Sequence, residues 1–172
     1  MVHAQGLPTQ LSGKNVVTMQ SEELKIGKKK ALAVVFLSAI CPCSNAHIED
    51  LKVLHKENVD VAFVGIHSNQ NESQQQTRKY FEKVHLPFPV LHDDGARIAD
   101  QFRAIKTPHA FLLDPNGKIL FQGGVTSSHQ PARAERHYLQ EALNDFRSGK
   151  PIKTPLARAV GCTIDRGGKS DW

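Results

Sequence analysis

Leu32-Ala33-Val34-Val35-Phe36-Leu37 is a continuous apolar run rich in β-branched residues. A run this short and unbroken is the pattern of a strand buried on both faces. Val59 to Ile66, VDVAFVGI, reads as a second such strand. Between them Ile48, Leu51 and Leu54 recur at near-helical spacing and predict a helix over residues 44–56. Strand, helix and strand in this order confine the chain to an α/β sheet with helices packed on its faces.

The remaining segments extend that sheet. Ser73-Gln74-Gln75-Gln76 fits a capping box, and Thr77, Phe81 and Val84 then line one helical face. Phe88 to Leu91 predicts a short third strand and Ala96 to Phe102 a short helix. His109 to Leu113, the turn Asp114-Pro115-Asn116-Gly117, and Ile119 to Gln122 read as a hairpin. Leu139, Ala142, Leu143 and Phe146 fall at i, i+3, i+4 and i+7 and mark a last helix. Parallel strands come first and an antiparallel hairpin last, so the sheet is mixed. Val16 to Met19 is expected to be a short strand. Residues 1–15 are expected to be a loose polar leader, 16–149 the folded domain, and 150–172 an irregular tail carrying Cys162.

The 172 residues, 40% hydrophobic and 23% charged, suit a single globular domain. No apolar run approaches the roughly 18 residues that would span a bilayer. The net charge of +5 is spread along the chain, and the one basic triplet, Lys28-Lys29-Lys30, accompanies no nucleic-acid motif and reads as a solvated turn. No phosphate loop or dinucleotide fingerprint is present, so no organic cofactor is expected. Val2-His3-Ala4 suits the end of a cleaved signal peptide, which points to a periplasmic or secreted protein, with the cytoplasm as the alternative.

Three cysteines are too few for a disulfide scaffold. Cys41 and Cys43 stand in SAICPCSN, between the first buried strand and the helix that follows it. In an open α/β sheet, ligands bind at the carboxyl ends of the strands. The unpaired N–H groups and positive end of the helix stabilise a thiolate there, below the free value of about 8.5. Pro42 suits the first turn, where a missing N–H costs nothing. Cys41 is therefore the candidate nucleophile. The plain alternative is a pair of small buried residues.

Val34-Val35-Phe36-Leu37-Ser38-Ala39-Ile40-Cys41 resembles the strand and nucleophilic cysteine of the thioredoxin superfamily, and Lys106-Thr107-Pro108-His109-Ala110-Phe111-Leu112-Leu113-Asp114 resembles its cis-proline strand. CPCSN, FPVLHDD, TPHAFLLDPNGK and GCTID together resemble a redoxin branch of the alkyl hydroperoxide reductase/thiol-specific antioxidant proteins. The resemblance implies a three-layer α/β/α fold with a mixed sheet and a cis Thr107–Pro108 bond, which an X-Pro peptide adopts at modest cost. It further implies that Ser38, Thr107 and Pro108 line the substrate groove. The chemistry it implies is thiol–disulfide exchange with protein thiols or disulfides, or the reduction of peroxides.

This chain departs from the family pattern in several places. Ser44 occupies the position of the second cysteine of C-x-x-C, and Val35 that of the buried aspartate of thioredoxins. Pro108 replaces the arginine of the peroxidases, and Val34 replaces their proline. Without that arginine a peroxide pocket lacks its charge, so disulfide exchange is the favoured reading. The second thiol is Cys43 or Cys162. Cys43 is close but closes a strained ring. Cys162 lies 13 residues past Gly149, a span of up to about 45 Å. A competing reading takes Cys41, Cys43 and His47 as ligands of a soft metal such as copper, since Cys43 and His47 share a helical face. A non-catalytic binding module is the blandest alternative.

Overall fold

A computed structural model of the chain describes residues 6–167, so the Val2-His3-Ala4 segment lies outside the described residues. The sheet is built around β3 (Ala31–Phe36), every residue of which is buried. It pairs in parallel with β4 (Val61–His67), which pairs in parallel with β5 (Val90–His92). On its other side β3 pairs antiparallel with β7 (His109–Leu113), and β7 with β8 (Ile119–Gly123). This is the mixed sheet that the apolar runs predict. The period of two along β3 sends Leu32, Val34 and Phe36 into one core and Ala33, Val35 and Leu37 into the other. The first core packs on α4 (Arg97–Phe102), and the second on α2 (Ile48–Glu57), α3 (Gln74–Val84) and α5 (Tyr138–Arg147). The Ser73 half of the capping box forms: its hydroxyl accepts the Gln76 N–H at the start of α3.

The N-terminal segment is not a loose leader from residue 10 onward. Gln10–Asn15 forms β1, which pairs antiparallel with β5 and with β2 (Ser21–Lys25), an edge strand unforeseen in the sequence. Gly13 reads as a loop residue, yet it sits where a Cβ would lie 2.7 Å from the His92 carbonyl oxygen. Its bare backbone allows β1 to approach β5. The expected strand over Val16–Met19 is instead the turn between β1 and β2, held by the Asn15 side chain, whose Oδ1 accepts the Val17 and Thr18 N–H groups. Charged Glu22, Glu23 and Lys25 on β2 protect this sheet edge from further pairing.

The C-terminal tail is a strap fixed at several points. The Gln122 and Ala157 N–H groups bond to the Pro155 and Gln122 carbonyls. Cys162–Thr163 forms β9, antiparallel to β6 (Lys106–Thr107), with Thr107 opposite Cys162. Gly161, at φ +154°, makes this pairing possible, because a Cβ there would fall 2.1 Å from the Thr107 carbonyl oxygen. Ile164 then enters the core on the α4 face, and Arg166 pairs with Asp100 at 2.9 Å.

Candidate active site

The helix expected over residues 44–56 is two helices. α1 (Pro42–Ala46) and α2 meet at His47, which caps the end of one and the start of the other at φ −95°, ψ −1°. Cys41 is the N-cap of α1, with extended backbone, and its sulfur accepts the Ser44 N–H at 3.4 Å. Pro42 occupies the first turn as expected. Cys41 is 2% exposed, and its thiol donates to the Thr107 carbonyl at 3.3 Å. The Thr107–Pro108 bond is cis.

Ser44, in the position of the missing second cysteine, has a structural task. It is fully buried and its hydroxyl accepts the Ser38 N–H at 3.0 Å, which closes the loop around Cys41. Ser38 does not line a groove. It lies beneath the loop, 2% exposed, and its hydroxyl accepts the Ile40 and Cys41 N–H groups at 3.2 and 3.1 Å. That hydroxyl in turn donates to Glu72 Oε1. Glu72, unforeseen in the sequence, also accepts the Ala39 N–H at 2.8 Å and pairs with His67 at 2.9 Å. Burial pushes the Glu72 carboxyl up, but the His67 and Ser38 hydrogen bonds outweigh it and hold it below its ordinary 4.5. A buried carboxylate thus anchors the backbone that presents Cys41.

The strap brings Cys162 to the same place. The sulfurs of Cys41, Cys43 and Cys162 all lie within 4.8 Å of one another, and all are free thiols. Burial raises the Cys41 pKa, yet the Cys162 thiol, the Thr107 side chain beside the sulfur, and the Ser44 and Cys162 backbones leave it lowered overall. The Thr107 hydroxyl is not fixed by any formed hydrogen bond and is the one such buried side-chain atom among the described residues. It is therefore free to turn toward the sulfur when the thiolate forms. Cys43 is raised by burial and by the charge of Cys41, and Cys162 is pushed up to about 12 by burial and by its hydrogen bond to Cys41. Cys41 is thus the most acidic of the three thiols, and the other two hold their protons more tightly.

A pH profile tests this ordering. Alkylation of Cys41 by iodoacetamide, followed by peptide mass mapping, is expected to show a midpoint below the ordinary 9.0, and to return to that value in urea. The sign follows from linkage: the thiolate's contribution to stability is full above 9.0 and is lost as pH falls through the depressed native value. A midpoint at or above 9.0 in the folded protein contradicts the ordering.

The histidines do not form the expected metal set. His47 is buried, its Nδ1 2.7 Å from the Cys43 carbonyl oxygen and its Nε2 2.8 Å from Thr126 Oγ1, so both ring nitrogens are taken. His109 is buried against Phe111 and burial lowers it to about 4, which keeps it neutral. The histidine beside the thiols is His129, with Nδ1 3.1 Å from Cys43 Sγ. No sequence spacing links His129 to the cysteines, because the loop after β8 carries it to them. The backbone edge of Lys106–Thr107, next to the Thr107 and Pro108 that the resemblance assigns to substrate, is covered by β9.

A cysteine at a strand-to-helix junction, facing a cis-proline loop beside a mixed sheet, marks the thioredoxin-like class of folds. The chain belongs to the AhpC/TSA family, which residues 7–122 match. It resembles the thiol-disulfide oxidoreductase ResA of Halalkalibacterium halodurans, with 24% identity over 109 residues, and spans 62% of that relative's length and 62% of its own. Among solved structures it resembles an uncharacterized conserved protein of Geobacillus kaustophilus, at a TM-score of 0.81 and 23% identity, covering 96% of this chain and 93% of that one. It also resembles a secreted disulfide oxidoreductase of Mycobacterium tuberculosis homologous to DsbE of E. coli, at a TM-score of 0.59 and 18% identity over 78% of this chain and 94% of that one. These likenesses in structure establish the fold. Among the described residues no helix is long and apolar enough to cross a membrane.

Proposed function

We propose that the protein is a thiol–disulfide oxidoreductase in which Cys41 attacks and Cys162 resolves. The observation that carries this reading is the stabilised Cys41 sulfur with a second thiol, delivered by the strap, within 4.8 Å. The Cys41 thiolate attacks one sulfur of a substrate disulfide. That S–S bond breaks, a mixed disulfide forms, and the leaving substrate sulfur takes up a proton. Cys162 then loses its proton and attacks the Cys41 sulfur, expelling the second substrate thiol. Two electrons have passed from the protein dithiol to the substrate, and a Cys41–Cys162 disulfide remains. The same steps reversed oxidise a substrate dithiol.

Cys162 is favoured over Cys43 by the chain geometry. A Cys41–Cys43 bond must close within the first turn of α1, where the preferred disulfide geometry is hard to reach. Cys162 comes from a separate strand, so its bond to Cys41 is not confined to a small ring. Because β9 covers the Lys106–Thr107 edge, lifting this two-residue strand both uncovers Cys41 and frees the resolving thiol. Thr107 and Pro108 then border the substrate. The relatives' names support protein thiols or disulfides as the substrate class. The secreted Mycobacterium tuberculosis oxidoreductase that the fold resembles supports a periplasmic or secreted site of action.

Peptide mapping of the oxidised protein under non-reducing conditions is the test. A Cys41–Cys162 peptide is expected, and Cys162→Ser is expected to accumulate the mixed disulfide and lose steady-state turnover by on the order of a hundredfold. A Cys41–Cys43 peptide alone overturns the assignment of Cys162. Rapid peroxide consumption without reduction of a protein disulfide overturns the reaction itself.

A further inference from the structure

Disulfide exchange uses two sulfurs, and this site has three. Cys41, Cys43 and Cys162 arrive from the N-cap of α1, its first turn and the strap, yet their sulfurs all lie within 4.8 Å of one another. Zinc–sulfur bonds of about 2.3 Å place sulfurs about 3.8 Å apart in a tetrahedral site and about 4.0 Å apart in a trigonal plane. The three sulfurs therefore reach either arrangement by moving an ångström or less. His129 Nδ1, 3.1 Å from the Cys43 sulfur, stands close to the about 3.6 Å nitrogen–sulfur spacing of a shared tetrahedral metal. His129 is exposed on its loop.

The donor set selects the ion class. Thiolates and imidazole favour Zn(II) and Cu(I) over Mg(II) or Ca(II), which take oxygen ligands. The sequence offered His47 as the ligand to join Cys41 and Cys43, but both of its nitrogens are committed, to the Cys43 carbonyl and to Thr126. The fold substitutes a third sulfur and a loop histidine, neither of which is near in sequence.

We propose that, in the reduced protein, Cys41, Cys43 and Cys162 form a binding site for a soft d10 cation, with His129 closing the fourth position. Zn(II) takes all four ligands, and Cu(I) takes the plane of the three sulfurs. Binding releases the remaining thiol protons to solvent. The ion ties β9 to the loop that carries Cys41. Oxidation of Cys41 and Cys162 to a disulfide removes two of the ligands, so the bound ion and the disulfide exclude one another.

The test is a titration of the reduced wild-type protein under argon, with Zn(II) against a chromophoric chelator and Cu(I) against a Cu(I)-specific chelator. One equivalent of at least one cation is expected to bind, and Co(II) used as a spectroscopic stand-in is expected to give thiolate-to-cobalt charge-transfer bands with tetrahedral d–d bands. Cys43→Ser is expected to weaken binding by about a hundredfold, and His129→Ala to weaken Zn(II) by about tenfold and Cu(I) far less. Treatment with diamide is expected to eject the ion. Because these are readouts of the wild-type protein as well as of variants, a misfolded variant does not decide the outcome. Uptake of neither cation by wild-type protein that still reduces disulfides overturns the site and leaves the exchange reading standing. Unchanged affinity in Cys43→Ser, or retention of the ion after oxidation, also overturns it.

Discussion

Cys41→Ser is expected to lower the rate of disulfide reduction by on the order of a thousandfold or more, as loss of a covalent nucleophile does. A serine hydroxyl is neutral at any pH the protein survives and cannot form a mixed disulfide. Its oxygen can nonetheless take the Ser44 N–H that the sulfur now accepts, so the N-cap of α1 is kept. The buried site tolerates the slightly smaller side chain, and the melting temperature is expected to move by only a few degrees. Loss of activity without loss of fold is thus the signature of the nucleophile. Insulin reduction in the presence of a dithiol measures the first, and a thermal melt the second. Counting fast-alkylating thiols at neutral pH supplies a third readout, which is expected to fall from one to zero. Retention of a tenth or more of the activity, with Cys43 or Cys162 as the fast thiol, contradicts the assignment.

The central sheet was legible because its strands carry their own signal. β3 and β4 are apolar on both faces, so no competing period obscures them. β1 was not legible. Its residues alternate around Gly13, and the reason for that glycine is the His92 backbone on a strand far away in sequence. β2 was hidden by its charge, which belongs to an edge strand and reads locally as a loop. Cys41 was legible as the candidate nucleophile from its position and from the resemblance, since a strand end followed by a helix start is where a thiolate is stabilised. Its supports were not. Ser38 was expected to face substrate because its spacing from Cys41 says nothing of which way the hydroxyl turns. Glu72 lies in a polar run before the Ser73 cap, where a carboxylate looks solvated, and only the return of that loop beneath Ser38 and Ala39 buries it. His129 joins the thiols through tertiary folding alone.

Glu72→Ala is expected to cost about 3 kcal/mol or more of stability, the penalty of leaving buried polar partners without their acceptor. Three groups depend on this carboxylate: the Ser38 hydroxyl, the Ala39 N–H and the His67 ring. All lie in a region where neither Glu72 nor His67 side chains exceed 1% exposure, so an unpaired partner there carries a desolvation cost. Glu72→Gln is a finer probe. An amide offers one oxygen where the carboxylate offers two, so either Ser38 or Ala39 loses its acceptor, and an intermediate loss of stability is expected. The pH dependence separates the charge from the packing. Because the Glu72 pKa is lowered by folding, its contribution is full above the ordinary 4.5 and is lost as pH falls through the depressed native value. Wild-type stability in urea is expected to decline across that acidic window more steeply than that of Glu72→Gln, which has no carboxyl to protonate. Since Ser38 also holds the Cys41 N–H, the loosened loop is expected to shift the midpoint of Cys41 alkylation upward in Glu72→Gln. An unchanged midpoint with reduced stability would restrict Glu72 to a packing role, whereas movement of both ties the buried carboxylate to the reactivity of the sulfur above it.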